Sequence, residues 1–359
     1  MNVDASWYDR RRVFITGHTG FKGAWLSAWL ARAGAEVTGY GLAPPPGAPS
    51  LFAEARVGEG IRSIIGDIRD RSRLDDQLRA STPEIVFHLA AQPLVRRSYR
   101  APIDTYEINV MGTVHVLDAV RRIPSVRAVV VVTSDKCYEH RPLDRPYRED
   151  DPLGGHDPYS SSKGCAELVV SAMRRSFFDG DGCCVGSARA GNVIGGGDWS
   201  EDRLVPDVMV AAARGATASI RNPDAVRPWQ FVLEPLRGYL MLGRRLVESG
   251  GAFAEAWNFG PADQGVAVRA LVERLHTGWD RVSVLEEASD SSSLHEATQL
   301  RIDSTKAAER LGWRPLLSLE EAVDMTVSWY RRHFEGTTVA TELVAGQLTD
   351  YEGRALGPS

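Results

Sequence analysis

The feature that most constrains the fold is a short apolar strand that runs directly into a glycine-rich turn and then into a helical pattern. Residues 13–15 read V-F-I, and the following T-G-H-T-G-F-K-G places glycines at positions 17, 20 and 23, before helical spacing over residues 21–33. Glycines at this spacing permit a tight turn and let backbone N–H groups and the helix N-terminus approach a diphosphate. Because both the strand and the helix are present, the turn favours a dinucleotide-binding site formed by Gly17, Gly20 and Gly23 over an ordinary strand-to-helix turn.

The same alternation of strand and helix continues along the first half of the chain. The predicted strands are residues 13–15, 36–40, 63–65, 85–89, 128–132 and 184–186, and the predicted helices are residues 21–33, 70–80, 106–121 and 160–178. This alternation is typical of βαβ units, and the absence of polar residues at every second strand position indicates strands buried on both faces. We therefore predict an α/β fold with a doubly wound parallel sheet.

The pattern changes after Asn192, where G-G-G-D-W leads into isolated short strands and further helices. We predict a dinucleotide-binding domain over residues 1–190 and a smaller mixed α/β substrate-binding region over residues 191–335, some segments of which return to the sheet. Such a region would cover the carboxyl ends of the sheet strands, where doubly wound folds bind ligands. Residues 336–359 are predicted to form a polar C-terminal tail.

Composition narrows the classes of partner. The chain has 359 residues, 43% of them hydrophobic, and a formal net charge of −5 with scattered basic residues, which excludes a disordered chain and predicts no nucleic-acid partner. No apolar run is long enough to span a membrane, so we predict no membrane partner. Four cysteines without a C-x-x-C pair indicate reduced thiols and a cytoplasmic location. No H-x-x-x-H pattern and no cluster of acidic residues accompanies His18 or His88 in the sequence, so no metal site is predicted.

Further candidate cofactor contacts lie in the turn and after the third and fourth strands. They are Thr19, Phe21, Asp67, Ile68, Ala90, Ala91 and Gln92. Asp67 suits an adenine contact, and a helix N-cap is its alternative role. The second strand ends Y-G-L-A without an acid for the ribose, so the residues alone leave NAD and NADP both open.

A second constellation carries proton-transfer chemistry. Tyr159 and Lys163 stand four residues apart at the start of a predicted helix, so their side chains share one face. A nearby ammonium and an oxidised nicotinamide ring would lower the phenol pKa and let Tyr159 accept a hydroxyl proton. Ser134 ends the fifth strand beside the same crevice, and the ionisable residues Asp135 and Lys136 follow it.

With these residues the chain resembles the extended short-chain dehydrogenases, whose catalytic triad matches Ser134, Tyr159 and Lys163. The stretches G-H-T-G-F-K-G-A-W-L, T-S-D-K-C-Y-E, D-P-Y-S-S-S-K-G-C-A-E, R-A-G-N-V-I-G-G-G-D-W, R-P-W-Q-F-V-L-E-P-L and W-N-F-G-P closely resemble the CDP-D-glucose 4,6-dehydratases, roughly over residues 13–313. The resemblance implies a Rossmann fold and a hydro-lyase that makes CDP-4-keto-6-deoxy-D-glucose for deoxysugar biosynthesis. It also implies tightly bound NAD that is regenerated in each turnover, with NADP not excluded.

In that chemistry a hydride leaves carbon 4, water is eliminated across carbons 5 and 6, and the hydride returns to carbon 6. Asp135 is expected to protonate the departing 6-hydroxyl. Lys136 is expected to act at carbon 5, either as a neutral base or as a cation that stabilises the enolate. A nucleotide-sugar 4-epimerase and a catalytically silent NAD-binding regulator are the alternatives; the epimerase needs neither Asp135 nor Lys136, and the regulator would predict a damaged triad.

The resemblance also implies substrate and subunit contacts. Asn192 and His295 are expected to bind the nucleotide sugar, and Arg227 suits a bidentate diphosphate contact, with a surface ion pair as its alternative. The family usually has His at the position of Phe231. Asn109 is expected either to distort its helix and bind an active-site water or to be a buried amide bonded to backbone. A homodimer, or a dimer of dimers, would pair residues 106–121 and 160–178 as a four-helix bundle.

Overall fold

Seven parallel strands form the central sheet. The structure, a computed structural model, describes residues 5–141, 144–178, 180, 182–263, 265–286 and 300–356. In chain order the strands are β1 (Arg12–Thr16), β2 (Glu36–Gly41), β3 (Arg62–Ile65), β4 (Ile85–His88), β5 (Ala128–Val132), β6 (Cys184–Ala190), β7 (Val193–Ile194), β8 (Ala218–Ile220), β9 (Val226–Arg227), β10 (Gln230–Phe231), β11 (Ala256–Phe259), β12 (Val266–Ala267) and β13 (Val284–Glu286). The central sheet has the spatial order β3-β2-β1-β4-β5-β6-β11. This order reverses at β1, and the crevice there is the ligand-binding position of doubly wound sheets.

Helices cover both faces of this sheet. They are α1 (Phe21–Arg32), α2 (Leu51–Glu54), α3 (Arg71–Ser81), α4 (Val95–Arg100), α5 (Pro102–Tyr106), α6 (Gly112–Val120), α7 (Pro158–Phe177), α8 (Leu204–Ala213), α9 (Leu233–Ser249), α10 (Val268–Gly278), α11 (Leu319–Phe334) and α12 (Ala340–Leu356). One apolar core lies under α1, α9, α11 and α12, and a second lies under α3, α6 and α7. The predicted doubly wound α/β fold is confirmed.

Residues 106–121 do not form the single helix that the sequence predicts. α5 is followed by a π-helical turn at Glu107–Met111, and only then does α6 begin. The side chain of Asn109, inside this turn, bonds to the backbone of Gln92 and to the Ser162 hydroxyl. Contacts with distant parts of the chain accompany the extra residue in the turn, and π-turns of this kind are frequent at functional sites.

The region after residue 190 contributes both to the sheet and to small separate ribbons. β11 returns to pair in parallel with β6 and completes the edge of the central sheet. The short strands pair in two-stranded ribbons as β7 with β10, β8 with β13 and β9 with β12. β7 follows the carboxyl end of β6 after two residues, so this ribbon lies at the ligand-binding edge.

The C-terminal segment differs from its prediction. Residues 336–359 were expected to be a polar tail, but α12 forms there and buries Val344, Leu348 and Tyr351 in the core. The spacing of these residues, four and then three, places them on one helix face. The Tyr351 hydroxyl donates to Glu234 Oε2 at 2.8 Å, which ties α12 to the first turn of α9. Tertiary packing therefore stabilises a helix in a segment whose polar composition predicts a tail.

The described residues contain neither a candidate membrane-spanning helix nor a candidate metal-binding cluster. Within the described part of the chain, no helix combines the length and apolar character needed to cross a membrane. The same residues contain no group of three or more His, Cys, Asp or Glu side chains arranged to hold a metal ion. None of the four cysteines, all within the described residues, forms a disulfide.

Candidate active site

The turn between β1 and α1 requires glycine at two positions. Gly17 has a φ of 75°, in the left-handed region that favours glycine, and a Cβ atom there would lie 2.7 Å from the Ala90 nitrogen. A Cβ atom on Gly23 would lie 2.0 Å from the Gly17 carbonyl oxygen. Gly20 is the N-cap of α1 and offers no side-chain cap to its first amides. The turn therefore fits a diphosphate, which those amides and the helix dipole would bind.

The adenosine end of the crevice lies at the carboxyl ends of β2 and β3. The Thr19 hydroxyl donates to the Leu42 carbonyl at 2.7 Å and ties the turn to the end of β2. Leu42 and Ile65 expose apolar side chains at these strand ends, although sequence reasoning did not select them. Because Gly41 pairs with Ile65, these side chains lie at neighbouring strand ends, and their exposure suits the face of an adenine ring.

Asp67 is already engaged by its neighbour Arg69. Its carboxylate accepts from the Arg69 backbone at 2.8 Å and pairs with the guanidinium at 2.7 Å, and these bonds hold the pKa of Asp67 below its usual value. The N-cap of α3 is Asp70, which accepts from the Arg73 backbone, so the capping alternative for Asp67 is wrong. As in the sequence analysis, no acid stands at the end of β2.

The segment after β4 forms the middle of the crevice. The Ala90 and Leu89 amides both donate to Thr16 Oγ1 at 3.2 Å, which brings this segment against the end of β1. Asn109 Oδ1 accepts from the Gln92 amide at 2.8 Å, and its Nδ2 donates to the Gln92 carbonyl and to Ser162 Oγ. The Asn109 amide is thus satisfied within the protein, which agrees with the buried-amide alternative, while its helix is distorted as the other alternative expected.

Tyr159 and Lys163 lie on the first turns of α7, directly behind the end of β5. Asp157 caps the helix by accepting from the Ser160 amide at 2.9 Å, which fixes where α7 begins. Both the phenol and the ammonium side chains are buried, and Lys163 Nζ donates to the Val132 carbonyl at 3.4 Å. The two side chains that the spacing placed on one helix face are therefore brought to the carboxyl end of β5.

Burial dominates the protonation of this pair. It raises the pKa of Tyr159 to about 12, with contact to the Ser134 hydroxyl acting in the opposite direction. It lowers the pKa of Lys163 to about 8, with Glu167 opposing the shift. At neutral pH the phenol is therefore protonated and the ammonium is still mostly charged. The lowered phenol pKa that the sequence analysis expected is not produced by the protein's own groups.

Ser134, Asp135 and Lys136 form a tight turn at the end of β5. Ser134 Oγ accepts from the Lys136 amide at 3.2 Å and donates to Asp135 Oδ1 at 2.9 Å. Asp135 is only 2% exposed, and no described residue bonds to its other oxygen, Oδ2. Burial raises the pKa of Asp135, although the nearby charges of Lys136 and Arg227 oppose this. A proton on Oδ2 would be held ready for transfer.

The structure describes two of the three expected substrate residues, Arg227 and Asn192. Arg227 is buried in β9 rather than exposed at the surface, and its charge opposes the rise in the pKa of Asp135. Asn192 follows β6, and its carbonyl accepts from the Gln230 amide at 3.0 Å. Phe231 is fully buried in the core beside Ile194, so no polar contact is made at the family's usual His position. His295 lies outside the described residues.

Two charged residues beside the catalytic turn were missed. Lys22, in the first turn of α1, donates from Nζ to the Tyr239 hydroxyl at 3.3 Å. Burial, with the charges of Arg203 and Lys163, lowers the pKa of Lys22 to about 7. Arg203 is held by Asp198 at 2.8 Å, and its charge favours ionisation of Tyr159. Lys22 stood inside a quoted motif, whereas no sequence signal pointed to Arg203.

Comparison with known proteins assigns the family. The sequence profile described as GDP-mannose 4,6 dehydratase matches residues 14–326. The chain belongs to the GDP-mannose 4,6-dehydratase family. It is 49% identical to a CDP-glucose 4,6-dehydratase of Salmonella typhimurium, with 93% of this chain and 94% of that protein covered. It is 30% identical to a UDP-glucose 4-epimerase of Mycolicibacterium smegmatis, covering 89% of this chain and 98% of that one.

Solved structures place this family member beside other nucleotide-sugar enzymes. The dTDP-glucose 4,6-dehydratase DesIV of Streptomyces venezuelae, solved with NAD bound, has a TM-score of 0.77 at 25% identity and covers 90% of this chain and 98% of its own. An epimerase of Methanothermobacter thermautotrophicus has a TM-score of 0.79 at 24% identity, covering 92% and 95%. The dehydratase family and the epimerases thus share this fold, and only site chemistry separates them.

Proposed function

We propose that the protein is an NAD-dependent hydro-lyase that converts CDP-D-glucose to CDP-4-keto-6-deoxy-D-glucose. The observation that carries this proposal is the Asp135-Lys136 pair, which directly follows Ser134 and lies beside Tyr159. An acid and a nitrogen base next to the redox residues are what elimination across two sugar carbons needs. The 49% identity to an enzyme named CDP-glucose 4,6-dehydratase supports the proposal.

The first step is oxidation at carbon 4. Tyr159 Oη takes the proton of the 4-hydroxyl while Ser134 Oγ holds that hydroxyl in place. Because burial raises the pKa of Tyr159 to about 12, the phenol needs positive charge beside it, and Arg203 supplies part of it. We assign the rest to Lys163, one turn further along α7, and to the oxidised nicotinamide ring that the site would hold. When bound, the cofactor accepts hydride from carbon 4 and returns it to carbon 6.

The second step is loss of water across carbons 5 and 6. The new ketone acidifies the proton on carbon 5, and we assign its removal to Lys136. Asp135 Oδ2 donates a proton to the departing 6-hydroxyl, because burial favours the protonated carboxyl. Hydride return to carbon 6 leaves an enolate, and carbon 5 takes a proton from Lys136, which has exchanged with solvent in the meantime. Tyr159 releases the proton of the 4-hydroxyl to solvent, and Asp135 accepts a proton from solvent before the next turnover. Arg227, buried beside Asp135, would bind the diphosphate and so hold the sugar over these groups.

The remaining cofactor and ligand assignments follow from the same crevice. We assign diphosphate contacts to Gly17, Gly20 and Gly23 with Phe21, and adenosine contacts to Thr19, Asp67 and Ile68. The segment Ala90, Ala91 and Gln92, braced by Asn109, would line the nicotinamide side. We infer NAD rather than NADP, because residues 42–49, which follow β2, include no arginine to bind a 2′-phosphate. Four cysteines without a disulfide support a cytoplasmic location.

We also propose a homodimer. Ile103, Tyr106 and Met111 on the α5 to α6 segment and Leu168 on α7 are exposed apolar side chains. Tyr106 Oη bonds to Ser161 Oγ at 2.9 Å, so the two outward faces adjoin and form one patch. Contiguous exposed apolar surface of this kind marks an association site. Two copies pairing α5 to α7 of each would cover it as a four-helix bundle.

The direct test of the substrate is a comparison of nucleotide sugars. Purified protein with NAD is incubated with CDP-, dTDP-, GDP- and UDP-glucose, and the 4-keto-6-deoxy product is measured by its absorbance in alkali. The proposal predicts product from CDP-glucose at a kcat/KM at least about tenfold above the others, since one well-placed polar contact is worth that much. Nucleotide binding without 4-keto product from any sugar would instead indicate the silent regulator.

A further inference from the structure

A buried ion pair lies behind the catalytic turn and has no part in the mechanism above. Glu167 Oε2 and Arg189 Nη2 are 2.8 Å apart, and the two side chains are 3% and 4% exposed. Removing two charges from water costs about as much as their attraction returns, so a pair like this adds little net stability. Its burial here therefore points to a role in fixing geometry.

The Glu167 carboxylate is bonded from three directions. Its Oε1 accepts from the Thr133 hydroxyl at 2.5 Å, and its Oε2 accepts from the Ser187 hydroxyl at 2.8 Å in addition to Arg189. Burial raises the pKa of Glu167, but the Arg189 charge and these bonds outweigh it, and the net shift is downward. The carboxylate is thus an ionised, fully engaged anchor.

These bonds reach both ends of the catalytic turn. Thr133 is the residue immediately before Ser134. On the other side, Arg189 Nη1 donates to the Tyr138 hydroxyl at 2.8 Å, and Tyr138 follows the turn. Glu167 itself lies on α7 one turn beyond Lys163, so one side chain connects the helix of the redox residues to the segment of the elimination residues.

We propose that Glu167 is a positioning residue which, through Thr133 on one side and Arg189 with Tyr138 on the other, holds Ser134, Asp135 and Lys136 in register with Tyr159 and Lys163. The inference rests on the proposed function. It assigns to Glu167 the coupling between the two halves of the reaction, because the proton acceptor of oxidation lies on α7, whereas both groups of elimination follow β5.

This coupling has a kinetic signature. When the anchor is weakened, Ser134 loses a support, but the proton acceptor Tyr159 stays on α7 with Lys163. Asp135 and Lys136, both groups that elimination needs, lose the same support. Elimination then slows more than oxidation. A misplacement of about 1 Å can cost roughly 100-fold in rate. The NADH that oxidation of carbon 4 produces would therefore accumulate in the variant, because hydride cannot return to carbon 6 until the alkene between carbons 5 and 6 has formed.

The test compares Glu167→Gln and Thr133→Val with the unchanged enzyme. Both variants keep the side-chain shape, and Thr133→Val removes only one hydrogen bond, so it remains informative if Glu167→Gln does not fold. We expect kcat to fall about 10- to 100-fold with KM for CDP-glucose within about threefold. In single turnovers, stopped-flow absorbance should show NADH rising and persisting, unlike the brief transient of the unchanged enzyme.

Glu234→Gln is the matched control, since Glu234 is equally buried and bonded to Tyr351 and to the Leu316 and Leu317 amides, away from the catalytic turn. It should lose stability but keep kcat per folded molecule and show no NADH accumulation. Unchanged kcat, or equal slowing of both steps, in folded Glu167→Gln and Thr133→Val would overturn the inference. If the unchanged enzyme made no 4-keto product from CDP-glucose, the proposed function would fail instead.

Discussion

At the scale of single residues, burial decides which groups can exchange protons with a sugar. It raises the pKa values of both Asp135 and Tyr159, yet the two have opposite tasks. Asp135 benefits, because a general acid must enter the reaction protonated. Tyr159 must lose its proton, so it depends on added positive charge. The four-residue spacing predicts that Tyr159 and Lys163 share one helix face, but burial has no signature in such a motif, so the rise in the pKa of the phenol could not be predicted from it.

Substitution of Asp135 by Asn should separate the two steps. The Asn side chain keeps the shape and the bond to Ser134 but cannot donate a proton to the 6-hydroxyl. We expect kcat to fall about 100- to 10,000-fold, the usual range for loss of a general acid, with little change in KM. Steady-state kinetics with CDP-glucose measure both values. Activity retained within about threefold would show that another group protonates the leaving oxygen.

The lowered pKa of Lys163 predicts a pH-dependent stability cost. Its pKa falls from 10.5 unfolded to about 8 folded, so between these pH values the unfolded chain binds more protons and stability rises with pH. Below about pH 8 the folded protein carries the full cost of a buried ammonium. Lys163→Met should therefore raise the unfolding free energy at pH 7 by about 1–3 kcal/mol, while abolishing activity.

Urea unfolding of both proteins at pH 7 and near pH 10 checks this sign. The difference between variant and unchanged protein should shrink towards zero at the higher pH. A difference that grows with pH would mean that the ammonium is stabilised by folding, contrary to its burial.

At the scale of elements, the sequence was most informative where local pattern and tertiary packing agree. β5 was predicted with its observed bounds, and α1 was predicted within one residue, because a glycine-rich turn and an apolar run mark their ends. A distortion of the helix at Asn109 was expected only as one alternative implied by the resemblance, and the residues alone do not predict the π-turn at Glu107–Met111, because its bonds reach Gln92 and Ser162, which lie far away in sequence. α12 was missed because its few apolar residues are diluted among polar ones, although their spacing is helical.

The packing of α12 is testable through Leu348, which is buried. Leu348→Ala should lower the free energy of unfolding by about 2–5 kcal/mol, because it leaves a cavity against the core. Val339→Ala, at an exposed position just before α12, should change it by less than about 0.5 kcal/mol. Denaturant unfolding gives both values. If Leu348→Ala also changes the free energy of unfolding by less than about 0.5 kcal/mol, α12 does not pack against the core as described.

At the scale of the whole molecule, the strand order brings the ends of β1, β4 and β5 to one crevice, which unites residues spread from Gly17 to Lys163. The alternation of strands and helices was sufficient to predict that crevice. The same alternation does not identify Arg203 or Glu167, because their roles depend on contacts with residues from other elements. Outside the crevice, the exposed patch of Ile103, Tyr106, Met111 and Leu168 lies on the opposite face of the sheet from α9, where a second copy could bind without blocking the site.

Association through this patch predicts a concentration-dependent dimer. Leu168→Glu would place a charge in the apolar contact and should convert a dimer to a monomer in sedimentation velocity. Leu285→Glu is the control, since Leu285 is similarly exposed on β13 outside the patch, and it should leave the mass unchanged. A Leu168→Glu protein that sediments like the unchanged protein would contradict this interface.

The central claim is that Asp135 and Lys136 carry out an elimination rather than an epimerisation. It is tested most directly by turnover of CDP-glucose with NAD in deuterium oxide, followed by NMR of the sugar product. We predict a 4-keto-6-deoxy sugar with deuterium at carbon 5, and loss of that exchange in Lys136→Ala. An unlabelled CDP-hexose inverted at carbon 4 would contradict the account, and retained exchange in Lys136→Ala would remove Lys136 as the base.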